Sequence, residues 1–167
     1  MGRNATHRPS AHLPQRAAAP GAHTPGGADF TQLVIEIFRV YGTMIAVGDA
    51  LVRDLDMTSA RWQVLGAIGK EPKTVAAAAR HMGLTRQNVQ RIANSLVESG
   101  IADYVDNPNH RRAKLVALTK KGMALREQLG RRQAKWANES ALPFAEGELA
   151  ATIEVLQRLR KALEKKK

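Results

Sequence analysis

The chain has 167 residues, with 26 Lys and Arg against 15 Asp and Glu, a formal charge of +11 and no cysteine. That length suits one cored domain, or a small domain with an oligomerisation element, and is short for most cofactor enzymes. The missing thiols exclude a disulfide framework, a thiolate nucleophile, a cysteine redox sensor and thiolate zinc sites, while the basic excess points to a polyanion, nucleic acid ahead of anionic membrane.

Residues 1–28 carry a charge of +3, residues 29–72 carry −2, residues 73–121 carry +6 and residues 122–167 carry +4, so the middle segment holds the largest share. The first of these segments combines Arg3, Arg8 and Arg16 with four prolines, the run Ala17-Ala18-Ala19 and no acid. It buries too little apolar area to order itself, so residues 1–28 are expected to be a disordered basic tail. Its apolar pieces are broken before a secretory h-region can form, and its transit-peptide flavour lacks a helical period. Elsewhere the longest charge-free stretch is Val40 to Gly48, far short of the ~18 apolar residues of a membrane span, so no membrane partner is expected.

From Phe30 to Leu55 apolar residues recur every three or four positions, through Leu33, Ile37, Tyr41, Met44 and Gly48. The spacing predicts one amphipathic helix of about seven turns over residues 29–56, long enough to need a partner helix. Asp56-Met57-Thr58 breaks it, and Thr58 or Ser59 caps a second helix whose apolar face is Trp62, Leu65, Ala67 and Ile68. Thr74 caps a third helix, Val75 to Met82, and Thr85 caps a fourth that runs to about Ser99. Ala79 is small where two helices cross, Gly83 stands where the turn needs positive φ, and Val89, Ile92 and Leu96 make a buried stripe. This is the pattern of a DNA-binding helix-turn-helix, although similar helical pairs occur in modules that bind only proteins.

With Val89 inward, Gln87, Arg91 and Asn94 point most directly outward, flanked by Arg86, Asn88 and Gln90, with Thr85 at the cap. Arg can be bidentate to guanine and Asn or Gln to adenine, whereas an ordinary solvated face would favour Glu and Lys, and the one acid here is Glu98 near the helix end. Beyond Gly100, Ile101 to Asp106 is extended, Asn107 to His110 is a turn, and Arg111 to Thr119 returns. The hairpin carries His110, Arg111, Arg112 and Lys114 near its tip, so it can serve as a wing laid into the minor groove, or its charges can simply protect an edge strand.

Thr58 to Leu65, the helix-turn-helix through Gly100, and the segment Asn107 to Gly122 together resemble the MarR family of bacterial winged-helix transcriptional regulators. The likeness covers about residues 29–165, and its wing segment is the most specific part. It implies a mainly α fold with a small β wing (α+β), with residues 57–122 as the winged helix-turn-helix lobe. It also implies a cytoplasmic, nucleoid-associated homodimer that binds a pseudo-palindrome in double-stranded DNA, repression being the family default. Many members carry an acid just before the paired wing arginines, where this chain has His110.

Residues 123–167 support dimerisation on their own pattern. A helix from Met123 to about Ser140 turns Leu125, Leu129 and Trp136 inward, and Leu149, Ile153, Leu156, Leu159 and Leu163 then form a seam that wants another helix, from a second chain or from this one. Nothing in the spacing supports catalysis: Gly66 to Glu71 lacks the spacing and the hydroxyl of a P-loop, and no His pair at i, i+4 suggests a metal. No enzyme activity, cofactor or metal is expected. The resemblance implies a small aromatic or lipophilic effector between the dimer helices and the DNA-binding lobe, with Tyr41, Met44, Arg61 and Trp62 as candidate lining residues. For Trp62, filling the core between helices is the stronger reading. A non-specific nucleoid-type protein and a protein-interaction winged helix are the alternatives. Seven aromatics, with Tyr104 alone near the wing, argue against single-strand binding by base stacking.

Overall fold

The computed structural model describes residues 21–166, so the expectation for residues 1–20 lies outside it. Among the described residues the chain is mostly helical with one small antiparallel sheet, and it divides at the Ala46–Val47 link into two compact units.

The first unit is dominated by α1 (Pro25–Val52), which crosses the division. The helix starts earlier than composition suggests. Thr24 Oγ1 accepts from Gly27 N at 3.1 Å, and the Thr24 carbonyl accepts from Ala28 N at 2.9 Å. Pro25 comes next, at the first helical position, where a missing N–H is no loss. Residues 25–28 are therefore helical, which corrects their assignment to a disordered tail: a proline behind a threonine cap starts a helix. Phe30, Leu33, Tyr41 and Met44 of the expected stripe are exposed, as are Ile35, Phe38 and Val40 beyond it. Within Pro25–Leu55 an 18-residue window reaches mean hydropathy 1.4 with at most two charges, long and apolar enough to cross a membrane by length and composition. The charge-free criterion misses this, because single charges such as Glu36 and Arg39 interrupt an apolar helix without making it polar.

The second unit begins in the last turns of α1, which tighten into a 3-10 turn at Arg53–Leu55 and stop at Asp56 with φ 53°. It continues through α2 (Ser59–Ile68), β1 (Lys73–Thr74), α3 (Val75–Met82), α4 (Arg86–Glu98), β2 (Ala102–Val105), β3 (Leu115–Leu118), α5 (Lys120–Ala141) and α6 (Glu148–Glu164). The sheet order is β1-β3-β2, both pairings antiparallel, with Thr74 opposite Leu115 and Tyr104 opposite Val116. Strand β1 was not expected; two residues carry no readable period, and their partner lies some forty positions away.

The core is filled by Val52, Val64, Leu65, Ile68, Val89, Leu96, Val116 and Leu129, each under 2% exposed. In α2 the buried face is Ser59, Val64, Leu65, Ala67 and Ile68, while Trp62 is half-buried against the core edge. Helix α5 begins at Lys120, three residues ahead of the expected Met123, because Thr119 Oγ1 caps it by accepting from Gly122 N at 3.1 Å. Leu129 is fully buried, Leu125 packs against the core and Trp136 is half-buried. In α6 Leu149, Ile153, Leu156 and Leu163 are exposed in the single chain.

Two polar clips hold the end of α1. Gly48 lies so close to Ser59 that a Cβ there would meet Ser59 Oγ at 2.5 Å, and Ser59 N donates to Asp49 Oδ1 at 2.6 Å, which holds the Asp49 carboxyl below its usual range. Arg132 of α5 donates to both oxygens of Asp54, at 2.5 and 2.6 Å, and to the Leu51 carbonyl at 2.8 Å. The guanidinium hydrogen bond keeps the Asp54 carboxyl below its ordinary 3.8. A carboxylate held down in the folded state stabilises the fold above about pH 4 and loses that contribution as pH falls through the lowered value. The melting temperature of Asp54→Asn is therefore expected to lie below that of the wild type at about pH 7 and to converge with it as acidification passes through the lowered value. A gap that persists in calorimetry at low pH would place the effect in packing.

Candidate nucleic-acid interface

Helices α3 and α4 meet through a tight turn in which Gly83 adopts φ 65° and Leu84 N donates to the Ala79 carbonyl at 3.0 Å. Only a residue without a Cβ takes that conformation freely. Ala79 is buried at the crossing, and Thr85 Oγ1 caps α4 by accepting from Asn88 N at 3.3 Å. Val89, Ile92, Ala93 and Leu96 bury one side of α4. The other side is thereby committed to solvent, with Thr85, Arg86, Gln87, Arg91 and Asn94 exposed and Asn88 and Gln90 half-buried. All seven positions singled out from the sequence line one continuous open depression.

The chain between β2 and β3 folds into two successive turns, with His110 N donating to the Asn107 carbonyl and Ala113 N to the His110 carbonyl, both at 3.1 Å. His110, Arg111, Arg112 and Lys114 are all exposed. Strand pairing stops at Val105–Leu115, so Arg111 to Lys114 stand in the loop and not in the returning strand where the sequence pattern puts them. Arg111, Arg112 and Lys114 have no hydrogen-bond or ion-pair partner among the described residues, which leaves their charge available to an anion. A groove of about 480 Å³ joins the two groups of residues. Its walls are the start of α3 at Thr74 to Ala76, Arg86 and Gln90 of α4, and His110, Arg112 and Lys114 of the loop.

Tyr104 also lines that groove, a place that the sequence reading did not give it. Its hydroxyl accepts from Gln90 Nε2 at 2.6 Å and donates to Asn94 Oδ1 at 2.5 Å, while Gln90 Nε2 also donates to Asn94 Oδ1 at 3.0 Å. Partial burial pushes the phenol above its ordinary value, against the opposing effect of the Gln90 bond. The available signal was the pair Gln90 and Asn94 at i, i+4 beside a strand with one polar aromatic.

The effector-lining candidates fall on both units. Tyr41 and Met44 are exposed on the first unit, while Arg61 and Trp62 belong to the second. Within the second unit a cavity of about 340 Å³ is lined by Leu55, Asp56, Arg61, Ser99, Ile101, Lys121, Ala124, Leu125 and Gln128, so only Arg61 of the four candidates reaches it. There Arg61 Nη1 donates to the Asp56 carbonyl at 3.0 Å and Nη2 to Ser99 Oγ at 2.8 Å, while its buried Nε has no partner. Among the described residues no three His, Asp or Glu side chains are grouped as a metal site.

The MarR family model matches residues 55–113. An uncharacterized protein of Mycobacterium tuberculosis is 35% identical over 135 residues, 81% of this chain and 94% of its own length. The chain belongs to the MarR family. Its fold is that of solved members: a cysteine-to-serine mutant of MarR from E. coli complexed with operator DNA matches at TM-score 0.70 and 22% identity, over 78% of this chain and 95% of that one. BpsR of Bordetella bronchiseptica, whose DNA binding is regulated by 6-hydroxynicotinic acid, matches at TM-score 0.68 and 20% identity, over 77% and 98%.

In this MarR-family chain the wing and the helix-turn-helix share one polar knot. Thr119 Oγ1 donates to the Gly100 carbonyl at 2.8 Å, Lys121 Nζ donates to the Ser99 carbonyl at 2.9 Å, and Gly122 sits against the Ile101 carbonyl, where a Cβ would overlap the oxygen. Backbone cannot yield as a side chain can. Gly122→Ala is expected to cost at least about 2 kcal/mol in urea denaturation, and an unchanged midpoint would show that this approach is not required.

Proposed function

We propose that the protein is a homodimeric, sequence-specific regulator that binds a pseudo-palindromic site in double-stranded DNA and acts as a repressor. The observation that carries this reading is the groove between α4 and the wing, which sets an outward helix face of Arg, Gln and Asn beside unpaired Arg111, Arg112 and Lys114. A helix of this width enters the major groove with amide and guanidinium groups toward the base edges. The wing arginines then lie against phosphates or in the adjacent minor groove, where the potential is most negative. Glu98 at the far end of α4 keeps its acid away from that face.

The exposed apolar residues of α1 and α6 supply the dimer seam, which is why residues 29–56 and 123–167 are read as dimerisation elements around the lobe at 57–122. Two-fold symmetry would set the paired recognition helices about one DNA turn apart, ~34 Å. A small aromatic or lipophilic effector would release DNA only as far as it prefers a spacing of those helices that does not fit the site. The similar fold of BpsR, whose DNA binding answers to 6-hydroxynicotinic acid, supports this mode. Arg61 lines the cavity of about 340 Å³ and is the candidate whose buried Nε has no hydrogen-bond partner.

The deciding experiment is selection of bound duplexes from a random pool at about 0.15 M salt. An inverted repeat with half-sites about 10 base pairs apart is expected; binding that falls steeply with salt and recovers no motif would mean a nucleoid-type protein instead. On the selected site Arg91→Ala should cost about 1–3 kcal/mol and relax specificity, whereas Arg112→Ala should weaken all sequences and reduce the salt slope by about one. Equal losses on cognate and random DNA for Arg91→Ala would remove its base-reading role.

A further inference from the structure

We propose that Tyr104 sets which bases the recognition face can read, consuming one end of the Gln90 and Asn94 amides and leaving Gln87 to recognise adenine with both ends of its own. The inference rests on the DNA-binding reading above and deepens it.

Adenine is distinguished in the major groove when one side chain accepts from N6 and donates to N7 together, which needs both ends of an Asn or Gln amide. Gln90 and Asn94 do not have both ends available. The three contacts among Gln90 Nε2, Tyr104 Oη and Asn94 Oδ1 close a triangle at 2.6, 2.5 and 3.0 Å. Gln90 Nε2 spends both its hydrogens there, and Asn94 Oδ1 spends both its lone pairs. The Nδ2 donor of Asn94 and the Oε1 acceptor of Gln90 are left without a hydrogen-bond partner among the described residues. Turning both amides over closes the same triangle with the roles exchanged, so one end of each is consumed in either orientation.

Asn88 Oδ1 accepts from Arg91 Nη2 at 3.2 Å, which takes one of its two lone pairs, and the residue is half-buried. Gln87 is exposed and has no hydrogen-bond partner among the described residues, so both ends of its amide face solvent. The four amides of this helix face therefore divide into Gln87, free at both ends, Asn88, held at one lone pair by Arg91, and Gln90 and Asn94, each with one end consumed. The restraint on Gln90 and Asn94 comes from a strand residue lining the groove, outside the helix itself. A single hydrogen bond satisfies more than one base, because N7 is common to both purines and an exocyclic amine is common to adenine and cytosine. The restrained positions accordingly tolerate at least two bases.

Random-pool selection is run in parallel on full-length wild type, Tyr104→Phe and Gln87→Ala, with melting curves on each. In the wild type one position per half-site should prefer adenine over all three other bases, and Gln87→Ala should lose that preference. Tyr104→Phe, which keeps the ring and removes only the hydroxyl, should gain a second adenine-specific position in each half-site. Identical motifs from wild type and Tyr104→Phe would overturn the inference, as would adenine preference surviving in Gln87→Ala. A wild type that yields no motif would instead overturn the DNA-reading function on which it rests.

A second measurement does not depend on the folding of Tyr104→Phe. Affinities of the wild type for all four bases are compared at the position whose preference disappears in Asn94→Ala. At least two bases should agree there within about fivefold, and an adenine preference beyond about fivefold over all three others would overturn the inference.

Discussion

Burial of one stripe of α4 is the constraint on which the rest of the molecule depends. Val89, Ile92, Ala93 and Leu96 go into the core together, and the 3.6-residue period then sends Gln87, Arg91 and Asn94 outward with no further instruction. Transferring four side chains from water outweighs any preference of the polar face, so the direction in which the helix presents its chemistry is set by residues that touch no ligand. The core that receives the stripe is built from α2, the sheet and α5, through Leu65, Val116 and Leu129. The orientation of this polar face is in that sense a property of the whole second unit.

Around this stripe, polar contacts tie the ends of elements to one another. Arg61 joins the turn after α1 to the C-cap of α4, Lys73 Nζ caps α2 at the Ala67 carbonyl at 2.9 Å, and Thr119 joins the base of the wing to the start of α5. Each places a charged or hydroxyl group on a backbone carbonyl at the end of an element, and Arg61 also reaches the Ser99 hydroxyl. The consequence for function is geometric: the wing and α4 cannot shift independently without breaking the Thr119–Gly100 bond and the contacts of Tyr104 with Gln90 and Asn94. Arg111, Arg112 and Lys114 stand outside that scheme, and the contrast separates the residues that build the lobe from those free to meet a polyanion.

Tyr104 joins these two classes. It pairs opposite Val116 in the sheet, packs against the core and ends on two amides of the polar face of α4. A side chain of this kind is apolar along its body and polar at its tip, which suits it to carry an influence from a strand to a surface. Its presence changes the chemistry of the face from that of the helix alone.

The sequence by itself determined the helices, their caps and the outward set on α4, since each depends on a short-range pattern: Thr74 caps α3 and Thr85 caps α4, Gly83 turns the chain, and Val89 to Leu96 repeat within a single helix. The family resemblance was legible for the same reason, its motifs being contiguous. Local reading went astray where two local signals competed, as at Pro25, which counted toward disorder in a proline-rich stretch yet starts α1 behind the Thr24 cap. Only the tertiary structure decided the pairing of Lys73 and Thr74 with β3, the clip from Arg132 to Asp54, and the contact of Tyr104 with Gln90 and Asn94. Those contacts join residues that are ten to some eighty positions apart, and no periodicity reports them, because which distant groups meet is fixed by how the packed elements fill one core.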